Sequence, residues 1–272
     1  MIDQPLLDAV ERIAREAGNA IMTIYAREFT VEQKADNSPL TEADQAAHHV
    51  IARGLKALPL QLPILSEEDA ESFSGMDAQG RYWLVDPLDG TKEFIKRNGE
   101  FTVNIALIEH GVPVLGVVTA PALGTAYVAA EGIGAFKINT DGQRHAIQVA
   151  GQPAAGAAWR VVGSRSHPSP DLAAWLDKLG AHDMLPMGSS LKLCLIAEGK
   201  ADAYPRLGPT CLWDTGAAHA VVRCAGGRVE TLEGKPLNYS NPAEKLNPHF
   251  VVWGYQWDDS HSRYWCAKGD KK

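Results

Sequence analysis

Positive charge is in short supply in this chain. Its 26 Lys and Arg stand against 33 Asp and Glu, a balance of 26 − 33 = −7 with histidine neutral. A protein that tracks a nucleic-acid polymer needs a basic face, so that function class is excluded. A small anionic ligand is not, because a local site can oppose the global field. Cysteine is also scarce. Cys194, Cys211, Cys224 and Cys266 are the only four, and no two form a CxxC pair. This predicts free thiols in a reducing, cytoplasmic compartment. No run of 18 apolar residues occurs, so no transmembrane helix is expected. The opening Met1-Ile2-Asp3-Gln4-Pro5 has neither the basic nor the apolar region of a signal peptide, and none is expected. There is no Walker A string, no HExxH pair, no internal repeat and no low-complexity segment. Gly132-Ile133-Gly134 lacks the third glycine of a dinucleotide fingerprint and lies among strands, so it reads as a hairpin turn.

What is present is ordinary for a globular chain: 45% apolar and 22% charged residues exclude disorder, collagen and coiled coil. A length of 272 residues allows one large domain or two joined halves. Helical spacing of Leu6, Leu7, Val10, Ile13, Ala14, Ala17, Ile21 and Ile24 predicts a helix over 4–25, capped by Asp3. A polar loop over 31–40 precedes a second helix from Thr41 through Leu55. His48 and His49 adjoin on it and cannot share a face, so at least one is expected in solvent. Ile64-Leu65 reads as a short strand, and Arg81–Val85 as a strand stopping at Asp86-Pro87. Residues 101–109, 112–119 and 125–129 predict an antiparallel meander, with short strands near Phe136 and Ile147. The stretch Ala150–Ala158, with Gly151, Pro153 and Gly156, marks a boundary between halves 1–150 and 151–272. Beyond it we expect a strand at Trp159–Val162, a helix behind Pro170, a helix over 190–198, a strand near Ala203, and a helix from Asp214 to Ala225 stopped by Gly226-Gly227. The tail from Lys268 is expected to fray.

The sharpest motif is Asp86-Pro87-Leu88-Asp89-Gly90-Thr91. A strand delivers Asp86, Pro87 turns the chain and removes a donor, and Asp89 follows three residues on. Two carboxylates and the Leu88 carbonyl form an oxygen-only ligand set, which suits Mg²⁺ rather than zinc. Gly90 allows close backbone approach, and a helix opening at Gly90-Thr91 would aim amides at an anion. An ordinary surface turn uses the same residues. Ser66-Glu67-Glu68-Asp69 after a strand and Trp213-Asp214 at a helix start each have a plain account as well, a solvated turn and an N-cap. Those separate accounts leave the order of the three motifs unexplained.

Taken together, Glu67-Glu68, the Asp86–Thr91 string and Trp213-Asp214 resemble the inositol monophosphatase-like superfamily over almost the whole chain. These are Mg²⁺-dependent, lithium-sensitive phosphatases. Gly90-Thr91-Lys92-Glu93-Phe94, with Gly163–His167, Gly188–Lys192 and Tyr204–Leu207, is similar to the CysQ-type 3′(2′),5′-bisphosphate nucleotidase branch. The resemblance implies an α+β fold, a layered αβαβα sandwich with the site between its halves. It implies that Glu67, Asp86, the Leu88 carbonyl, Asp89 and Asp214 bind two or three Mg²⁺ ions, with Glu68 in support. Asp44, Glu67 and Thr91 would orient the attacking water, and the Gly90 and Thr91 amides would hold the scissile phosphate. Substrate contacts fall to Glu67, Leu88, Asp89, Gly90, Thr91, Ser164, His167, Ser190, Lys192, Arg206 and Asp214. Four carboxylates carry about −4 together, and two Mg²⁺ neutralise them in a paired-metal displacement.

The expected reaction converts adenosine 3′,5′-bisphosphate to AMP and phosphate, with the related adenylylsulfate 3′-phosphate as a second substrate, in sulfate assimilation. Two alternatives stay open: a phosphatase of the same fold acting on inositol phosphate or another small phosphomonoester, and a non-catalytic module that binds nucleotide and Mg²⁺. Oligomeric state is open, as is peripheral contact with the cytoplasmic face of the inner membrane, where some members of the superfamily reside.

Overall fold

The computed structural model describes residues 2–27, 39–164 and 170–255. The expected loop over 31–40 lies almost wholly outside them. So do Cys266 and the tail from Lys268.

Helix α1 (Gln4–Tyr25) begins where Asp3 accepts a 3.0 Å hydrogen bond from the Leu6 amide. Its apolar stripe, Leu7, Val10, Ile13, Ala17 and Ile21, is buried. Helix α2 (Pro39–Lys56) packs against it, starting two residues before the expected Thr41. Gly54 permits the contact: a Cβ there would lie 2.7 Å from Ile13 Cγ1.

Strands β1 (Ile64–Ser66), β2 (Arg81–Asp89), β3 (Thr102–Glu109), β4 (Val112–Ala120), β5 (Thr125–Ala130), β6 (Gly134–Ile138) and β7 (Arg144–Ala146) form one sheet in sequential order. β1 runs parallel to β2; the others pair antiparallel, as the expected meander. The β3 and β4 runs are buried on both faces, so both faces of the sheet must be covered. Trp83, Val85, Val103, Ile105 and Val117 face the α1–α2 layer. Tyr82, Leu84, Ala106, Ile108 and Val118 face the opposite way.

The second sheet has the order β11-β12-β10-β8-β9, from β8 (Trp159–Ser164), β9 (His182–Met187), β10 (Ala203–Arg206), β11 (Arg228–Thr231) and β12 (Phe250–Trp253). Helices α5 (Leu191–Ala197) and α6 (Leu212–Cys224) fill the space between the sheets. Ten of the thirteen α6 residues are buried, which suits a helix enclosed on all sides. Helix α4 (Pro170–Leu179) covers the outer face of the second sheet, where Trp175 and Leu179 meet Trp159 and Trp253. The layers therefore run α1–α2, seven strands, α5–α6, five strands, α4, an αβαβα sandwich. Among the described residues, no helix is long and apolar enough to cross a membrane.

Candidate functional site

The short helix α3 (Thr91–Ile95) follows β2 directly. β2 does not stop at Asp86, as its sequence suggested, but continues to Asp89 through a bulge. Its register with β3 shifts between Asp86 and Asp89 because Pro87 has no amide to pair. Asp86 Oδ1 accepts the Leu88 amide at 3.0 Å and closes the bulge. The Leu88 side chain is buried in the α1–α2 core, which anchors the turn. Gly90 then sits at φ 95°, in the left-handed region. A Cβ there would lie 3.0 Å from the Glu100 carbonyl oxygen and 3.2 Å from Ser189 Cβ.

Asp214 arrives on α6, from between the two sheets. It occupies the third position of α6 and is not its N-cap, as one plain account had it; Cys211 is. The Cys211 amide donates to Asp214 Oδ2 at 2.9 Å, and the Cys211 side chain accepts the Asp214 amide. Oxygen atoms of Asp86, Asp89 and Asp214 all lie within 4.8 Å of one another. Glu67 opens a 3₁₀ segment after β1, and its side chain hydrogen-bonds to Asp86. Glu68 accepts Gln45 Nε2 at 2.5 Å. Asp44 is buried in α2, on the same side as Glu67 and Glu68.

Crowded carboxyls hold their protons. Burial, then Asp89, Glu67 and Asp214, push Asp86 well above the carboxylate range. Burial and Asp89 raise Asp214 to about 7. Glu67 is exposed overall, yet burial of its carboxyl, then Asp89 and Glu68, raise it to about 7 as well. Burial, Glu68 and Glu67 raise Asp44 to about 8. Asp89 rises through burial, and Lys192 and the Ser190 amide oppose that rise. A convergent, oxygen-only, self-repelling set of this kind fits a hard divalent cation.

A cavity of about 130 Å³ opens beside these acids. Asp89, Gly90, Thr91 and Asp214 line it together with Ser164, Lys192 and Arg206. Lys192 is buried, donates to the Ser189 carbonyl at 2.5 Å and lies 5.7 Å from the Tyr204 ring centroid. Arg206 donates one Nη to the Pro209 carbonyl at 2.7 Å. His167 lies outside the described residues. Ser190 also lines the cavity. Its hydroxyl donates to Asn104 Oδ1 and meets Thr102 Oγ1, both at 2.8 Å, while its amide donates to Asp89 Oδ2 at 2.6 Å. It grips the first sheet and an aspartate.

Sequence reasoning missed Thr102, Asn104 and Glu93. All three are buried, and Glu93 lines the cavity. The signal for the first two was two polar residues at i and i+2 in an otherwise apolar strand. His48, bonded to Ser66 Oγ at 2.9 Å, is half-buried and His49 is exposed, as the helix geometry required.

The sequence profile of the inositol monophosphatase family matches residues 3–255. The 3′(2′),5′-bisphosphate nucleotidase CysQ of Escherichia coli O157:H7 is 54% identical over 251 residues, covering 91% of this chain and 99% of that protein. CysQ of Salmonella typhimurium is 52% identical over 254 residues, covering 92% and 100%. The crystal structure of CysQ from Bacteroides thetaiotaomicron superposes with a TM-score of 0.80 at 38% identity, over 93% of this chain and 98% of that one. An inositol monophosphatase from Anabaena gives a TM-score of 0.74 at 25% identity, over 96% and 94%. With fold, acidic cluster and sequence in agreement over nearly its whole length, the chain belongs to the inositol monophosphatase family.

Proposed function

We propose that this chain is a Mg²⁺-dependent 3′(2′),5′-bisphosphate nucleotidase that converts adenosine 3′,5′-bisphosphate to AMP and phosphate. One observation carries the reading: Asp89 and Asp214 line the same small cavity as Lys192 and Arg206. A bisphosphate presents two anionic groups several ångströms apart, and this cavity offers two walls of different chemistry to receive them. The names of relatives that share half or more of this sequence agree with it.

Glu67, Asp86, the Leu88 carbonyl, Asp89 and Asp214 would hold two or three Mg²⁺ ions, which when bound supply positive charge at the transferring phosphate and acidify the attacking water. The chain's own residues do the rest. Gly90, free of a side chain at φ 95°, leaves its own amide and that of Thr91 open to the scissile phosphate. Thr91 is exposed on the cavity wall, and its hydroxyl both donates and accepts, so it can orient a water together with Asp44 and Glu67. The water oxygen forms the new P–O bond as the bond to the ribose 3′-oxygen breaks; the water gives up a proton to a carboxylate, and the departing 3′-oxygen takes up a proton to become the ribose hydroxyl. Lys192 and Arg206 receive the 5′-phosphate, Arg206 from a guanidinium that the Pro209 carbonyl and the Tyr204 hydroxyl hold in place. Ser164 lines the same wall, and His167 belongs to the segment that follows it. Adenylylsulfate 3′-phosphate presents the same 3′-phosphate and is the second substrate. Free Cys194, Cys211 and Cys224 suit a cytoplasmic enzyme that clears the by-product of sulfate assimilation.

Phosphate release tests this directly. With Mg²⁺, adenosine 3′,5′-bisphosphate should give a kcat/KM at least about a hundredfold above inositol 1-phosphate, the scale of two charge-assisted hydrogen bonds. Equal rates would move the assignment to a general phosphomonoesterase. No turnover of either would leave a binding module.

A further inference from the structure

The wall between the two halves is built around one turn, residues 188–190, which links β9 to α5. Ser189 adopts φ 44°, a left-handed conformation uncommon for serine. The turn is tied down at both ends by carboxylates of the first half. The Gly188 amide donates to Glu100 Oε2 at 2.7 Å, and the Ser190 amide to Asp89 Oδ2 at 2.6 Å. Beneath it lies Asn104, 1% exposed in the middle of β3. An amide side chain buried in an otherwise apolar strand costs stability unless its polar atoms are engaged. Asn104 Oδ1 can only accept, so the single Ser190 hydroxyl proton goes to it, and the Thr102 hydroxyl proton goes to Ser190. The hydrogen bonds thus run in one direction, Thr102 to Ser190 to Asn104. Asn104 also stands directly opposite Asp86 in the β2–β3 register. Its Nδ2 has no hydrogen-bond partner among the described residues.

We infer that Asn104 is a positioning residue for the acidic cluster: it fixes Ser190, whose amide fixes Asp89, and it stands across the sheet from Asp86. One buried side chain therefore sets, through Ser190, the placement of a carboxylate the proposed reaction needs. This rests on reading the cluster as a Mg²⁺ site. It also explains why Ser190, although beside the cavity, turns its hydroxyl into the sheet.

The test uses the full chain and Mg²⁺ alone. Its readout is the Mg²⁺ concentration giving half the maximal rise in melting temperature, without substrate. Asn104→Ala and Ser190→Ala should each raise that concentration about tenfold or more, the usual scale for partners that orient a metal ligand. The double variant should be no worse than the poorer single, because both changes act on one bond. Thr102→Val keeps the Ser190–Asn104 bond and should give a smaller shift. If Asn104→Ala fails to fold, Ser190→Ala and Thr102→Val carry the comparison, since both keep the buried shape. A merely structural role would lower the metal-free melting temperature and leave the Mg²⁺ half-point unchanged; that result, or additive shifts in the double variant, overturns the inference. A wild-type chain that ignores Mg²⁺ overturns the metal reading itself, so the two failures are distinguishable.

Discussion

A Cβ on Gly116 would lie 2.1 Å from the carbonyl oxygen of Ala217, so β4 and α6 meet backbone to backbone. Gly216 makes the matching approach to β2, where a Cβ would lie 2.7 Å from Leu84 Cδ2. Leu84 is two residues before Asp86, and Asp214 two before Gly216. The depth at which α6 docks thus sets how far apart those two aspartates stand. Gly116→Ala should push α6 off the sheet and cost about 1–3 kcal/mol or more. Melting temperature should fall by roughly 2–4 °C per kcal/mol. Its stabilisation by Mg²⁺ should shrink as well. Thermal melts with and without Mg²⁺ check both.

The pH dependence of the metal-free protein should run opposite to ordinary acid unfolding. Asp44 rises from an ordinary value near 3.8 to about 8 on folding. A raised acid contributes stability that is fully present below its unfolded value and is lost as pH climbs through the folded one. The metal-free chain should therefore weaken between pH 4 and 8, with Glu67 and Asp214, both near 7, adding to the slope. Asp44→Asn should flatten that decline, and Mg²⁺ should stabilise more at pH 8 than at pH 5. Melting curves of the two proteins across this range give the difference; parallel slopes would contradict the assignment of the decline to Asp44.

Asp89→Asn should leave the fold intact and cut turnover by roughly a hundredfold or more, the scale of a lost preorganised charge at a transition state. Asp89 is a half-buried acid whose pKa is raised, chiefly by loss of solvent around its carboxyl. Removing its charge should also hold or raise the metal-free melting temperature. Turnover near wild type at saturating Mg²⁺ would remove Asp89 from the metal ligands.

Arg206 discriminates between the two phosphates. Arg206→Ala should cost about ten- to a hundredfold in kcat/KM for adenosine 3′,5′-bisphosphate, since each charge-assisted bond contributes roughly 1.5–3 kcal/mol. It should cost far less for 3′-AMP, which lacks the 5′-phosphate. Equal losses on both substrates would place Arg206 with the scissile phosphate or with the fold, where its bond to the Pro209 carbonyl already engages it.

The helices, the antiparallel meander and the three acidic motifs were legible because each is local. Asp86, Asp89 and Gly90 sit within five residues, and the apolar stripe of α1 is a run of one periodicity. Three strands of the second sheet were not. β9 has no buried residue and carries Pro186, β11 has a single buried position, and β12 is buried at all four, so none shows a clear alternation. The role of Ser190 was hidden for a different reason. Its neighbourhood beside Lys192 marks it as a cavity residue, but the direction of its hydroxyl is set by Thr102 and Asn104, 88 and 86 positions away. Nothing in the local sequence encodes that choice. Asp214 was legible as an acid at a helix start, and its third position in α6 follows from Cys211 serving as the cap.

The most direct test of the account is which phosphate leaves. The acidic cluster with Gly90 and Thr91 should take the 3′-phosphate, while Lys192 and Arg206 hold the 5′-phosphate. Chromatography of adenosine 3′,5′-bisphosphate after partial hydrolysis with Mg²⁺ should therefore show 5′-AMP as the mononucleotide product. Formation of 3′-AMP, or of both in comparable amounts, would contradict the assignment of the two walls.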